Sequence, residues 1–116
     1  MDNTIGGHRI YIQNAELRKG NGTTEWIVNC GSDEANNSLH GTKFSRHERV
    51  ILLSAETYCQ NGQDVIHVDL QRSSAASPDG SYNYKFYCSS KEALNNSYVN
   101  VFFYYIIYDI ENRTPY

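Results

Sequence analysis

The chain has 116 residues and a formal net charge of −3, with acidic and basic side chains interspersed. This length fits one domain, and the lack of a Lys/Arg run or basic stripe argues against a nucleic-acid partner. No segment approaches the ~20 apolar residues that a membrane-spanning helix requires.

Turn residues divide the chain into six segments with strand character. They span residues 9–13, 24–29, 50–58, 65–70, 82–88 and 98–110. Gly, Asn and Pro predict turns at 20–22, 61–62 and 77–80, and one helical turn is expected at 90–94. The pattern predicts an all-β protein, a six-stranded antiparallel β-sandwich, with a single domain over 1–116.

The last segment is apolar and aromatic on both faces. Read with period two, it places Tyr98, Phe102, Tyr104, Ile106, Tyr108 and Ile110 on one face, and Val99, Val101, Phe103, Tyr105 and Ile107 on the other. A strand at the surface of a small domain normally buries only one face, and a chain of this length has room for one two-layer core. We therefore expect a second copy of the chain to cover the other face.

Residues that could carry out catalysis or bind metal form no recognisable motif. Cys30, Cys59 and Cys88 allow at most one internal disulfide. No CxxC pair or Cys/His cluster has metal spacing, so we expect neither a metal nor another cofactor. The histidines lack H-E-x-x-H spacing, and no GxSxG or phosphate-binding loop occurs. A Cys or His catalytic centre is the interpretation we rank last, and we do not expect an enzyme.

The glycosylation sequons and the first residues bear on where the protein is located. Sequons for N-glycosylation begin at Asn21, Asn36, Asn95 and Asn112, which favours a secreted or cell-surface protein. The first residues show no signal peptide, so we expect either a cytosolic protein or a mature chain whose leader is absent.

The Gly31-Ser32-Asp33 segment offers a carboxylate that could accept two sugar hydroxyls at once. The alternative is an Asx turn, in which Asp33 bonds its own backbone.

Four ordered pieces of sequence cover most of the chain. They are Ile12-Gln13-Asn14-Ala15, then Phe44 followed by Val50-Ile51-Leu52-Leu53-Ser54, then the strand 65–70 with Ser77-Pro78-Asp79-Gly80 and the strand ending at Cys88, and finally the aromatic run from Tyr98. In this order they resemble the H-type lectins, the family of snail agglutinin and of the discoidin C-terminal domain.

The resemblance implies a fold, an assembly and a ligand. Such lectins are six-stranded sandwiches that form a trimer, or two stacked trimers, and bind galactose or N-acetylgalactosamine in clefts between protomers. The family's sugar-binding Gly-x-Asp loop corresponds to Gly31, Ser32 and Asp33, and a family Tyr corresponds to Tyr98.

The resemblance also marks positions where this chain departs from the family. The family's Trp-His pair falls near Lys91 and Glu92, and its sugar-binding Arg falls near Asp64 or Val65. We include Asp64 among the candidate ligand-binding residues at this position, although its charge is opposite to that of the family's Arg.

The expected function is therefore that of a non-catalytic lectin, such as an agglutinin or a cell-adhesion protein, that binds galactose-bearing glycans as a homo-oligomer. The alternative is a structural or adhesion β-sandwich without sugar binding. An immunoglobulin-like version is disfavoured because Trp26 precedes every cysteine. In the lectin assembly, Phe103 and Tyr105, or their neighbours one step along, are expected to be buried only in the oligomer.

Overall fold

The computed structural model describes residues 4–5, 7–31, 44–73 and 80–111. All regular structure within these ranges is β, and no helix long and apolar enough to cross a membrane occurs there. The strands are β1 (Thr4–Ile5), β2 (His8–Arg9), β3 (Tyr11–Arg18), β4 (Glu25–Asn29), β5 (Glu48–Tyr58), β6 (His67–Ser73), β7 (Asn83–Ser89) and β8 (Tyr98–Asp109).

Six of these strands form two antiparallel sheets. The β8 sheet has the order β3-β8-β5, and the β7 sheet has the order β4-β7-β6. β1 and β2 pair separately as a short hairpin. The prediction of an all-β sandwich is confirmed. The first predicted strand, residues 9–13, differs most from the observed one. β3 extends to Arg18 because it pairs along β8 as far as Tyr98.

The helical turn expected at 90–94 is wrong, because residues 90–97 form bends and coil. The backbone N–H groups of Asn95 and Asn96 donate to the Asp64 carboxylate instead of closing a helical turn. The tight turns at Gly22 and Gly62 do occur, with φ of 76° and 66°, values that glycine adopts at little cost.

The core lies between the two sheets and is rich in aromatic rings. Phe86 of β7 stacks on Phe103 of β8 with centroids 4.2 Å apart, and Tyr11 stacks on Tyr105 at 5.6 Å. Such pairs contribute about 0.5–1.5 kcal/mol beyond the burial of their area. Phe103 and Tyr105 are already fully buried in the single protomer. The expectation that these two residues are buried only in an assembly is therefore wrong.

The outer face of the β8 sheet carries an apolar patch. Strand register places Phe102, Tyr104 and Ile106 on this face, away from the core. Cross-strand partners point to the same side of a sheet, so Ile12, opposite Tyr104, and Ile51, opposite Ile106, extend the patch. We call these five residues the outer patch; Ile51 is 44% exposed, whereas Ile106, at 9%, is already buried in the protomer.

The three cysteines are all free. The N–H of Cys30 donates to the carbonyl of Tyr84, whereas Cys88 lies opposite Trp26. The two buried thiols are therefore separated along the sheet by about four residues, or ~13 Å, which is beyond disulfide reach. Burial raises the pKa of Cys30 to about 12 and that of Cys88 to about 11, so both stay protonated at neutral pH.

Candidate functional site

The candidate residues lie at opposite ends of the sandwich. Gly31 follows β4 at the Asn83 end of β7, whereas Asp64 and Tyr98 lie at the Ser89 end. The seven residues of β7 separate these ends by about 20 Å. One protomer therefore does not bring Gly31 together with Asp64 and Tyr98.

Gly31 is held in place by the buried side chain of Gln13. The Gly31 N–H donates to Gln13 Oε1 at 2.8 Å, and Gln13 Nε2 donates to the carbonyl of Asn29 at 2.7 Å. Gln13 is fully buried, and Gly31 has a φ of 83°, a conformation that favours glycine. Ser32 and Asp33 lie outside the described residues. The structure thus shows a fixed stem from which the predicted binding loop continues.

Asp64 joins two loops at the other end. Its carboxylate accepts hydrogen bonds from the Asn95 N–H at 2.7 Å, the Asn96 N–H at 3.0 Å and the Asn96 side-chain amide at 2.6 Å. Burial acts to raise the pKa of Asp64, but the hydrogen bonds from Asn95 and Asn96 outweigh it and leave the pKa below its usual value. Asp64 is therefore an ionised clamp between loops, with limited acceptor capacity left for a ligand.

Further hydrogen bonds tighten the same junction. The Asn61 N–H donates to Asn96 Oδ1 at 2.8 Å, and the Asn95 side-chain amide donates to the Gln63 carbonyl at 3.0 Å. The Asp64 N–H also donates to the Cys59 Sγ at 3.4 Å. Because both loops are tied together, the surface between them has a defined shape.

A cleft of about 370 Å³ opens between these two loops. Its walls include Asp64, Val65 and His67 from the first loop and the start of β6, and Lys91, Glu92 and Asn95 from the second. We call it the rim cleft. His67 was not predicted as a site residue, because in the sequence it is only a polar residue in an alternating strand segment. Its place in the cleft follows from its pairing with Ser89 at the end of β7.

Tyr98 does not line the rim cleft. It begins β8 on the outer face of the β8 sheet, opposite Arg18. The Arg18 guanidinium lies 5.9 Å from the Tyr98 ring centroid, within the range of a cation–π contact.

The rim cleft combines charges of both signs with apolar surface. Lys91 and Glu92 stand beside the ionised Asp64, and Val65 is 59% exposed. Within the described ranges, no group of three His, Cys, Asp or Glu side chains is arranged to hold a metal ion. No family model, curated protein or solved structure matches the chain.

Proposed function

We propose that the protein is a lectin of the H-type, which binds galactose or N-acetylgalactosamine between protomers of a homotrimer or hexamer. One observation carries the proposal. The rim cleft brings Asp64 and Val65 against Lys91 and Glu92, and these are the two places at which the resemblance puts the family's sugar-binding Arg and Trp-His pair. They are far apart in the chain, so their meeting is a consequence of the fold. Loops on a rigid scaffold are where binding groups usually lie.

The chemistry of the rim cleft fits a sugar. The exposed Val65 can cover apolar C–H groups, while His67, Glu92 and Asn95 can exchange hydrogen bonds with hydroxyls. The side chains differ from those of the family, so the preference between galactose and N-acetylgalactosamine has to be measured on this protein.

The proposed assembly follows from the positions of the candidate residues. Gly31 and Asp64 lie at opposite ends of one protomer, so a site that uses both needs two protomers. The outer patch supplies apolar surface of the kind found at interfaces between subunits.

Glycan-array and calorimetric binding experiments test the sugar site. We expect wild type to bind galactose-bearing glycans, and we expect Asp33→Ala and Lys91→Ala to weaken binding by about tenfold or more, the loss of one charge-assisted hydrogen bond. Asp69→Ala and Lys85→Ala are matched controls, because both residues belong to the outer face of the β7 sheet. No binding by wild type refutes the lectin, and unchanged binding by both test variants refutes the site.

Light scattering tests the assembly. We expect a trimer or hexamer that Ile51→Lys dissociates, because the charge would enter the outer patch. Ile27→Lys is the matched control, since Ile27 is 61% exposed on the other sheet. A monomeric wild type refutes the oligomer.

The second candidate function is a structural or adhesion module without sugar binding. The observation that favours it is the presence of Lys91 and Glu92 where the family has Trp and His. A stable oligomer that binds no glycan on the array would support this alternative.

A further inference from the structure

Two of the six arginines of the chain lie against the ring of one tyrosine. The Arg72 and Arg49 guanidinium carbons lie 4.7 Å and 5.5 Å from the Tyr82 ring centroid. Arg46 lies nearby, because its main-chain carbonyl accepts a hydrogen bond from Arg49 Nη1 and a methyl group placed on Gly80 would lie 3.6 Å from Arg46 Cδ. We call Arg46, Arg49, Arg72 and Tyr82 the arginine cluster.

The fold, rather than local sequence, assembles this cluster. Arg49 stands near the start of β5, an edge strand of the β8 sheet, and Arg72 stands near the end of β6, an edge strand of the β7 sheet. Tyr82 pairs with Phe44 just before β7 begins. The cluster therefore lies where the two sheets part along one edge of the sandwich, at the same end as Gly31.

Within the described residues, no carboxylate forms a salt bridge with Arg46, Arg49 or Arg72. The Glu48 carboxylate accepts hydrogen bonds from the Ser45 N–H at 2.9 Å and the Ser45 hydroxyl at 2.8 Å. The guanidinium groups of Arg49 and Arg72, which share the Tyr82 ring, carry like charges and repel one another, in a chain whose net charge is −3.

The Arg49 side chain is held in place without a ligand. Arg49 Nη1 donates to the carbonyls of Arg46 at 2.7 Å and Glu48 at 2.9 Å, and the Tyr82 ring supports two guanidinium groups. A guanidinium held in this way presents its remaining N–H donors in a fixed fork, which matches the oxygens of a carboxylate or sulfate.

We propose that the arginine cluster binds an oxyanion, a sulfate ester or a carboxylate, carried by the glycan ligand. This inference rests on the proposed sugar binding and adds a preference for acidic glycans. The cluster lies at the end of β7 that also meets Cys30 and Gly31, since the Cys30 N–H donates to the Tyr84 carbonyl and Phe44 pairs with Tyr82. The β4–β7 register, continued from the Asn29–Lys85 pair, places Gly31 opposite Asn83, the residue after Tyr82, so an acidic substituent on a sugar near Gly31 would lie close to the arginines.

The test compares acidic and neutral galactosides by calorimetry, at low and moderate salt. Sulfated and sialylated galactosides form separate arms, which distinguish sulfate from carboxylate. Wild type should bind at least one acidic form about tenfold more tightly than the neutral sugar, with a preference that weakens in salt. The double variant Arg49→Gln/Arg72→Gln should lose the preference. Arg9→Gln should keep it, because Arg9 also stacks on a tyrosine, Tyr11 at 5.2 Å, but at β3 on the opposite edge.

Three other outcomes would overturn the inference or its assignment to a glycan. Equal affinity for acidic and neutral sugars overturns the inference. So does a double variant that is less stable but keeps the acidic preference, because the arginines would then only pack on Tyr82. Single-stranded DNA bound as tightly as the acidic galactoside, at the same salt concentration, overturns the assignment to a glycan.

A second measurement separates this inference from the proposed function. If no sugar of any kind binds, the lectin proposal fails. An NMR titration with inorganic sulfate then tests whether the arginine cluster binds an oxyanion. Saturable shifts of the Arg49, Arg72 and Tyr82 signals that the double variant abolishes support the site, and the absence of such shifts overturns it.

Discussion

Gln13→Met removes the side chain that anchors Gly31 while keeping nearly the same volume in the core. The Gln13 carboxamide is fully buried and satisfies two backbone groups, the Gly31 N–H at 2.8 Å and the Asn29 carbonyl at 2.7 Å. Methionine fills the space but offers neither a donor nor a comparable acceptor. Both backbone groups would then lose their partner at the point where the predicted binding loop begins.

The expected loss of stability is set by how deeply each group is buried. Gly31 is buried, so its N–H without a partner would bear a desolvation cost of about 1–3 kcal/mol. Asn29 is an exposed residue, so water can replace the lost hydrogen bond to its carbonyl. We expect a loss of about 2 kcal/mol in the free energy of unfolding, which lowers Tm by roughly 6–12 °C for a domain of this size.

Urea unfolding followed by the fluorescence of Trp26, the single tryptophan, measures this loss. Protein concentrations must be matched because an oligomer stabilises its folded protomers by mass action. Gln71→Met is the control, since Gln71 is an exposed strand residue and the same substitution there should change stability by less than about 0.5 kcal/mol. Equal unfolding midpoints for the two variants would refute the anchoring role of Gln13.

Two further predictions concern ionisation. The folded-state pKa of Asp64 is lowered, so its contribution to stability is present above the unfolded value of about 3.9 and is lost as the pH falls through the folded value. Asp64→Asn should therefore destabilise the protein at neutral pH, with a gap from wild type that narrows on acidification; a gap independent of pH would contradict this. In native protein at pH 8, iodoacetamide should modify the partly exposed Cys59 before the buried Cys30 or Cys88, as measured by peptide mass spectrometry. Equally rapid labelling of Cys30 would contradict the burial that raises its pKa to about 12.

The sequence by itself determined the strands and the fold class. Alternation of apolar and polar residues is a local property, and it predicted strands that overlap β3 to β8. Glycines at positions 22 and 62 marked turns in the same way, because a positive φ is inexpensive only for that residue. The local pattern also showed that β8 is apolar on both faces.

Strand alternation could not say which face of β8 the core takes. Phe103 and Tyr105 fill the protomer because β8 is the central strand of its sheet and its inner face meets Phe86 of the opposite sheet. The outer patch is what remains. That choice depends on the packing of two sheets against each other, which no period-two pattern contains.

The tertiary structure alone decided where the candidate residues lie. It placed Gly31 and Asp64 at opposite ends of the sandwich, gathered the walls of the rim cleft from two loops, and assembled the arginine cluster from two edge strands. Each of these arrangements joins residues that are distant along the chain, so it depends on strand order and register. Sequence patterns report the conformation of neighbouring residues, whereas a binding site depends on which strands become neighbours after folding.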